Sequence, residues 1–284
     1  MRTYKSFNLS FDNTEILSEF LFVLYKYDNF VLTDNVIVDV AITLIQQGLY
    51  QPMKHSDVVK DKWKNEIELT HEEAETVFSE NPQHHKEAGF ERGWASRFDT
   101  WYKLGKELGF VYYWQNEKIV FSESGKMLLD KDNPQNEQLV FGNAFAKFYR
   151  HNPFKRVLNQ NVPLILLLET IKLLNLDTTF NNVGISRKEI PLLLCWKNND
   201  AQALYLKIKE LRQEYGYTPS NEVVLEICES YLDDTKRDDN SILNDYPDDF
   251  IRKMRLTGCI SLRGGGLFID INSKEITADR KSVV

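Results

Sequence analysis

The stretch from Phe90 to Trp114, FERGWASRFDTWYKLGKELGFVYYW, constrains the fold more than any other part of the chain. Trp94, Phe98, Trp101, Gly105 and Leu108 step by four, three, four and three residues, which draws one continuous apolar stripe along a helix. Gly109 supplies a C-terminal stop. After it FVYYW, the turn QNE and KIVFS read as two antiparallel strands. A helix closed by glycine and followed at once by a β-hairpin is the tail of a winged helix. At 100° per residue Arg92, Ser96, Asp99, Lys103 and Lys106 fall opposite the stripe, a mostly basic side expected to be exposed.

Upstream, Ile16, Leu17, Phe20, Leu21 and Leu24 keep the spacing of one helical face, and TDNVIVDVAITLIQQGLY from Thr33 repeats it and stops near Gly48. Thr70 and Glu73 form an N-terminal capping box, and 79–87 is polar loop. The same order returns near the C-terminus. YPDDFIRKMRLTG reads as a helix with Pro247 and two aspartates in its first turn, then Arg252, Lys253 and Arg255, and a terminating Gly258. CISLR, a GGG turn and LFIDI follow as a second hairpin. Between the two copies lie a largely buried helix from Val162 to Leu176, a second capping box at Ser186 and Glu189, and a helix closed by Gly216. The stretch from Glu229 to Asp249, with eight acids and two bases, reads as a solvated connection. The expected fold is therefore mainly α with small β-hairpins, arranged as two winged-helix-like subdomains over 1–132 and 133–284.

The chain is acidic overall, with a formal net charge of −7, but the charge is segregated. GNAFAKFYRHNPFKR, from Gly142 to Arg156, has four bases and no acid, and 251–284 has seven bases against three acids. Local field steers a polyanion, so an acidic protein with such a distribution can bind nucleic acid. Three widely spaced cysteines without a CxxC pair argue for reduced thiols in a cytoplasmic protein. The start lacks the apolar core of a signal peptide, and VPLILLLETIKLLNL is broken by Glu169 and Lys172 and is too short to span a bilayer. No membrane partner is expected.

Signatures of chemistry are absent. No phosphate loop or GxGxxG opens a helix, and His71, His84 and His85 lack the companions of a metal site. A common class of metal-dependent nuclease needs E-x-K or D-x-K on a strand, with carboxylates on magnesium and lysine beside the attacking water. No E-x-K occurs, and Asp234–Thr235–Lys236 has the letters in acidic surroundings that do not suit a site. Catalytic and metal-binding residues are accordingly expected to be none.

The segment GWASRFDTWYKLGKELGFVYYWQNEKIVFSESGKML resembles the AlwI-type family of type II (type IIS) restriction endonucleases, which includes site-specific nicking endonucleases. Weaker echoes are VPLILLLETIKLLNL, KEIPLLLCWKNND and RLTGCISLRGGGLFIDI, so the resemblance runs from about Phe90 onward. It implies two winged-helix-rich recognition subdomains, then a helical linker and a magnesium-dependent nuclease domain that cuts outside a short asymmetric site. This chain would be the recognition half, with double-stranded DNA as partner, no cofactor of its own, and a C-terminal nuclease domain or a nuclease subunit beside it. The candidate DNA-binding residues are Arg92, Ser96, Arg97, Lys103, Lys106, Lys147, Arg150, Lys155, Arg156, Arg252, Arg255 and Arg263. Arg97 lies beside the apolar stripe and either pairs with an internal carboxylate or reaches DNA. Lys147, Arg150, Lys155 and Arg156 either contact phosphates or cover a junction between subdomains. The rival reading is a winged-helix regulator or protein-interaction module without a nuclease.

Overall fold

The structure, a computed structural model, describes residues 14–87, 89–130, 132–133, 136–148, 160–180, 183–232 and 239–272. Among them the protein is mainly helical, with two small antiparallel sheets. The chain divides into two compact units, Met1–Glu137 and Gln138–Val284.

The first unit opens with α1 (Thr14–Tyr25), α2 (Asp34–Gln46), α3 (Asp57–Lys64) and α4 (His71–Glu80). Each start after the first has a local cause: the side chains of Thr33, Ser56 and Thr70 each accept a backbone N–H of the first turn, and Thr70 and Glu73 complete the capping box. The helix α5 (Trp94–Glu107) leads into β1 (Val111–Tyr112) and β2 (Val120–Phe121), and α6 (Glu123–Leu128) follows. Val111 pairs with Phe121 and Tyr112 with Val120. The link between α1 and α2 joins this hairpin. Asn29 N–H donates to the Ile119 carbonyl at 2.7 Å, Leu32 N–H to the Glu117 carbonyl at 2.8 Å, and Ile119 N–H to the Phe30 carbonyl at 2.9 Å. The link thus lies antiparallel against the returning strand. Phe98, Trp101 and Tyr102 of α5 are fully buried with Leu17, Phe20 and Leu21 of α1, and Tyr102 OH donates to the Phe20 carbonyl at 3.0 Å.

The helix α7 (Asn136–Lys147) carries the chain into the second unit. There α8 (Pro163–Leu176), β3 (Ile185–Ser186), a 3-10 turn Arg187–Glu189, α9 (Ile190–Cys195), α10 (Ala201–Tyr215), α11 (Asn221–Tyr231) and α12 (Tyr246–Arg255) precede β4 (Ile260–Arg263) and β5 (Phe268–Ile271). The sheet order is β3–β5–β4, all antiparallel. A strand that follows the first helix thus pairs with the returning strand of the hairpin, as the 29–32 link does in the first unit. Gly184, at φ +75°, makes this pairing possible: a Cβ there would stand 2.2 Å from the Ile269 carbonyl oxygen. The capping box of Ser186 and Glu189 forms as the sequence predicts. The thiol of Cys228 hydrogen-bonds with Cys195, and that bond together with burial pushes it far above the ordinary thiol range. All three cysteines are free.

One expectation fails here, and one helix start takes an unexpected form. The stretch from Glu229 to Asp249 is not a plain connection, because α11 runs to Tyr231 and residues 239–255 are helical without a break. Pro247 stands in the first turn of α12 with Asp248 and Asp249, as the sequence predicts, but that turn is not a free helix start. A π-helical turn, Ser241–Asp245, precedes α12; Asn240, Asp245 and Tyr246 all hold right-handed helical angles, and Tyr246 N–H donates to the carbonyl of Ser241, five residues back. Proline lacks an N–H and its ring crowds the carbonyl four residues earlier, and one widened turn relieves both.

Candidate nucleic-acid interface

In the first unit the basic side of α5 is covered, which corrects the expected surface. Ser96 is 0% exposed, Asp99 3% and Lys106 4%. The segment before the helix lies over this side: Glu87 N–H donates to Ser96 Oγ at 2.9 Å, and Ser96 OH donates to the Glu91 carbonyl at 2.6 Å. Lys106 Nζ is 2.6 Å from Asp99 Oδ1, which also accepts Tyr113 OH at 3.0 Å. The ammonium lies 4.2 Å from the Trp114 ring centroid, 4.4 Å from Tyr113 and 5.2 Å from Phe90. Ser96 and Lys106 are therefore interior groups and cannot reach a duplex.

Three other candidates here are tethered. Lys103 Nζ is 3.1 Å from Glu87 Oε2. Burial pushes the Glu87 carboxyl up, but hydrogen bonds from His85 and Lys103 outweigh it and hold the group below its ordinary value. Arg97 is half-buried and donates to Gln83 Oε1 at 3.0 Å, and it has no carboxylate partner among the described residues. Arg92 is exposed and donates to the His84 carbonyl at 3.2 Å. A helical wheel could not show this cover, although Asp99 and Lys106, seven residues apart and hence stacked on one side among aromatics, were a signal of it.

The second unit keeps an open face. Phe250, Ile251 and Met254 bury one side of α12. On the other, Arg255 is exposed and has no ion pair or hydrogen bond from its side chain among the described residues, and Arg252 is half-buried one turn earlier. Lys253 pairs with Asp249 at 2.7 Å, and Arg187 pairs with Asp248. Arg263 ends β4 beside the Gly264–Gly266 turn, half-exposed, with its guanidinium 2.9 Å from Asp270. Asp270 is buried and also accepts Asn175 Nδ2 and its neighbour Ile271 N–H, both at 2.8 Å, so Arg263 is folded back along the sheet and not extended from the turn. The strand register puts Ser186, Phe268 and Arg263 side by side, so Arg187 and Arg263 flank the same glycine turn. The sequence reading missed Arg187.

Lys147 is exposed at the end of α7. Arg150, Lys155 and Arg156 lie outside the described residues, as do Asp234 and Lys236. The chain has a second D-x-K, Asp279–Arg280–Lys281, which also lies outside them. Among the described residues no group of three His, Cys, Asp or Glu side chains is placed to hold a metal ion, and no helix is long and apolar enough to cross a membrane.

Comparison with known proteins gives one family match. A family model described as AlwI restriction endonuclease matches residues 106–279, more than half the chain, from within α5 to beyond β5. No curated protein matches the sequence.

Proposed function

The chain belongs to the AlwI restriction endonuclease family, and from that premise we propose that it is the sequence-specific double-stranded DNA recognition module of a type II restriction or nicking endonuclease. In this reading the enzyme is of the type IIS kind, cutting outside a short asymmetric site, and the nuclease resides in a separate domain or subunit. Magnesium belongs to that nuclease; the described residues offer no ligand set for it, and no cleavage step is assigned to them.

The observation that carries the reading is the connectivity of the second unit. A three-stranded antiparallel sheet, β3–β5–β4, stands behind a helix with an apolar inner side and a cationic end, Arg255. That order supports a winged helix in which α12 enters the major groove and the glycine turn grazes the backbone. The first unit repeats the order with its link strand and hairpin, but its covered α5 supports a scaffolding role there and not base reading.

Phosphate neutralisation would supply most of the affinity. If about six phosphates are contacted, binding falls on the order of a thousandfold between 50 and 200 mM salt. Fluorescence anisotropy with duplexes of mixed sequence measures this; affinity indifferent to salt would favour a protein-docking module instead. Incubation with supercoiled plasmid and magnesium is expected to leave the plasmid intact, and nicking lost on Asp279→Asn or Asp234→Asn would place the nuclease in this chain. Arg255→Ala is expected to cost about 1–3 kcal/mol on the preferred site. If the loss depends on the base pair at one position, Arg255 reads a base; if it is uniform across sequences, it neutralises a phosphate.

A further inference from the structure

We infer that Asp249 is a base-reading residue that specifies cytosine, an inference that rests on the DNA-recognition reading above. Two aspartates near the start of a helix ordinarily need no further reason, since carboxylates stabilise the positive end of the helix dipole. Here that reason fails. Asp248 and Asp249 stand in the first turn of α12, but α12 continues a helical run that begins no later than residue 239, and the dipole effect fades within the first turn of such a run.

The two carboxylates differ in their ties. Asp248 holds Arg187 and so fastens α12 to the turn that follows β3. Asp249 has its side chain 47% exposed, and one oxygen, Oδ2, accepts Lys253 Nζ at 2.7 Å. Its other oxygen has no hydrogen bond among the described residues. Asp249 and Arg252 are three residues apart, hence neighbours on one side of the helix, and that side is opposite Phe250, Ile251 and Met254.

A carboxylate facing a polyanion is repelled unless it accepts a hydrogen bond. In the major groove the exocyclic amine of cytosine is the donor suited to aspartate, while arginine suits the O6 and N7 of guanine. Asp249 and Arg252 together fit a pair of neighbouring base pairs, one read through its cytosine and one through its guanine. Lys253 positions the carboxylate and offsets part of its charge.

The test is selection of duplexes from a randomised pool by the wild-type chain and by Asp249→Asn and Asp249→Ala, with thermal unfolding as a check on folding. The wild type is expected to return a site with cytosine at one position. Asp249→Ala should lose that preference roughly ten- to hundredfold at that position alone. Asp249→Asn should shift it to adenine, because an amide can donate to N7 and accept from N6. Variants that select the wild-type site unchanged, or bind every sequence more tightly by one common factor, overturn the inference while leaving the module a DNA reader. A wild-type chain that selects nothing overturns both.

Discussion

Replacing Lys106 by methionine is expected to destabilise the first unit by about 3–5 kcal/mol, because it strands a carboxylate in the interior. Asp99 is 3% exposed and has two side-chain partners, Lys106 and the Tyr113 hydroxyl. Methionine keeps the length and most of the volume of lysine, so packing against Phe90, Tyr113 and Trp114 survives and the lost term is electrostatic. Domains of this size have native stabilities of about 5–15 kcal/mol, so roughly a fifth or more of the total is at stake. Urea unfolding of the full chain measures it. Adding Asp99→Leu should recover much of the loss, since apolar replacement of a whole buried pair is often neutral. A loss under about 1 kcal/mol for Lys106→Met alone would mean that this lysine meets solvent, and would reopen α5 as a binding surface.

Arg212→Met is expected to cost a similar 3–5 kcal/mol in the second unit. The guanidinium is 1% exposed, donates to Glu189 at 2.7 and 2.8 Å and to the Gly184 carbonyl at 2.7 Å, and lies 4.9 Å from the Tyr217 ring and 5.1 Å from Phe180. Glu189 in turn accepts Ser186 N–H at 2.7 Å. One side chain therefore pins β3, the strand on which the β5 pairing rests. Burial already pushes the Glu189 carboxyl above its ordinary value against the pull of Arg212, and without the guanidinium the rise is larger. A carboxyl with a raised folded-state pKa favours folding below its unfolded value of about 4.3 and loses that contribution as pH rises through the folded value. The deficit of Arg212→Met is thus smallest near pH 4 and reaches its full size by neutral pH. Unfolding free energies across that range check the sign, and a deficit that grows on acidification would contradict the account. Arg212→Lys should not rescue, because a single ammonium cannot replace the fork.

What the sequence made legible was local. The apolar stripe of α5 and the capping boxes at Thr70 and Ser186 depend on residues three or four apart, the hairpin after Gly109 on residues eight to ten apart, and each forms. The pairing of the link strand and of β3 with the returning strands joins residues about 80–90 positions apart, and nothing in either segment alone announces it. Polarity misled at α5, since a polar side there is buried by partners from 87–91 and by Tyr113 and Trp114, which a wheel drawn for one helix leaves out. Pro247 and its two aspartates do stand in the first turn of α12, but the proline gave no sign of the π turn that joins α12 to helical residues before it.

The face proposed for DNA accordingly shifts from both units to the second. Arg255 and Arg252 keep their place on α12, Arg187 joins them beside the glycine turn, and Ser96 and Lys106 leave the set.

The central claim is that this chain alone recognises a short asymmetric duplex sequence. Selection by the wild-type chain from a randomised duplex pool, run at 50 and 200 mM salt, tests it most directly. The account predicts one enriched asymmetric sequence at both concentrations, with total retention falling steeply at the higher. A pool that emerges unenriched, with retention equal at the two salts, would contradict it.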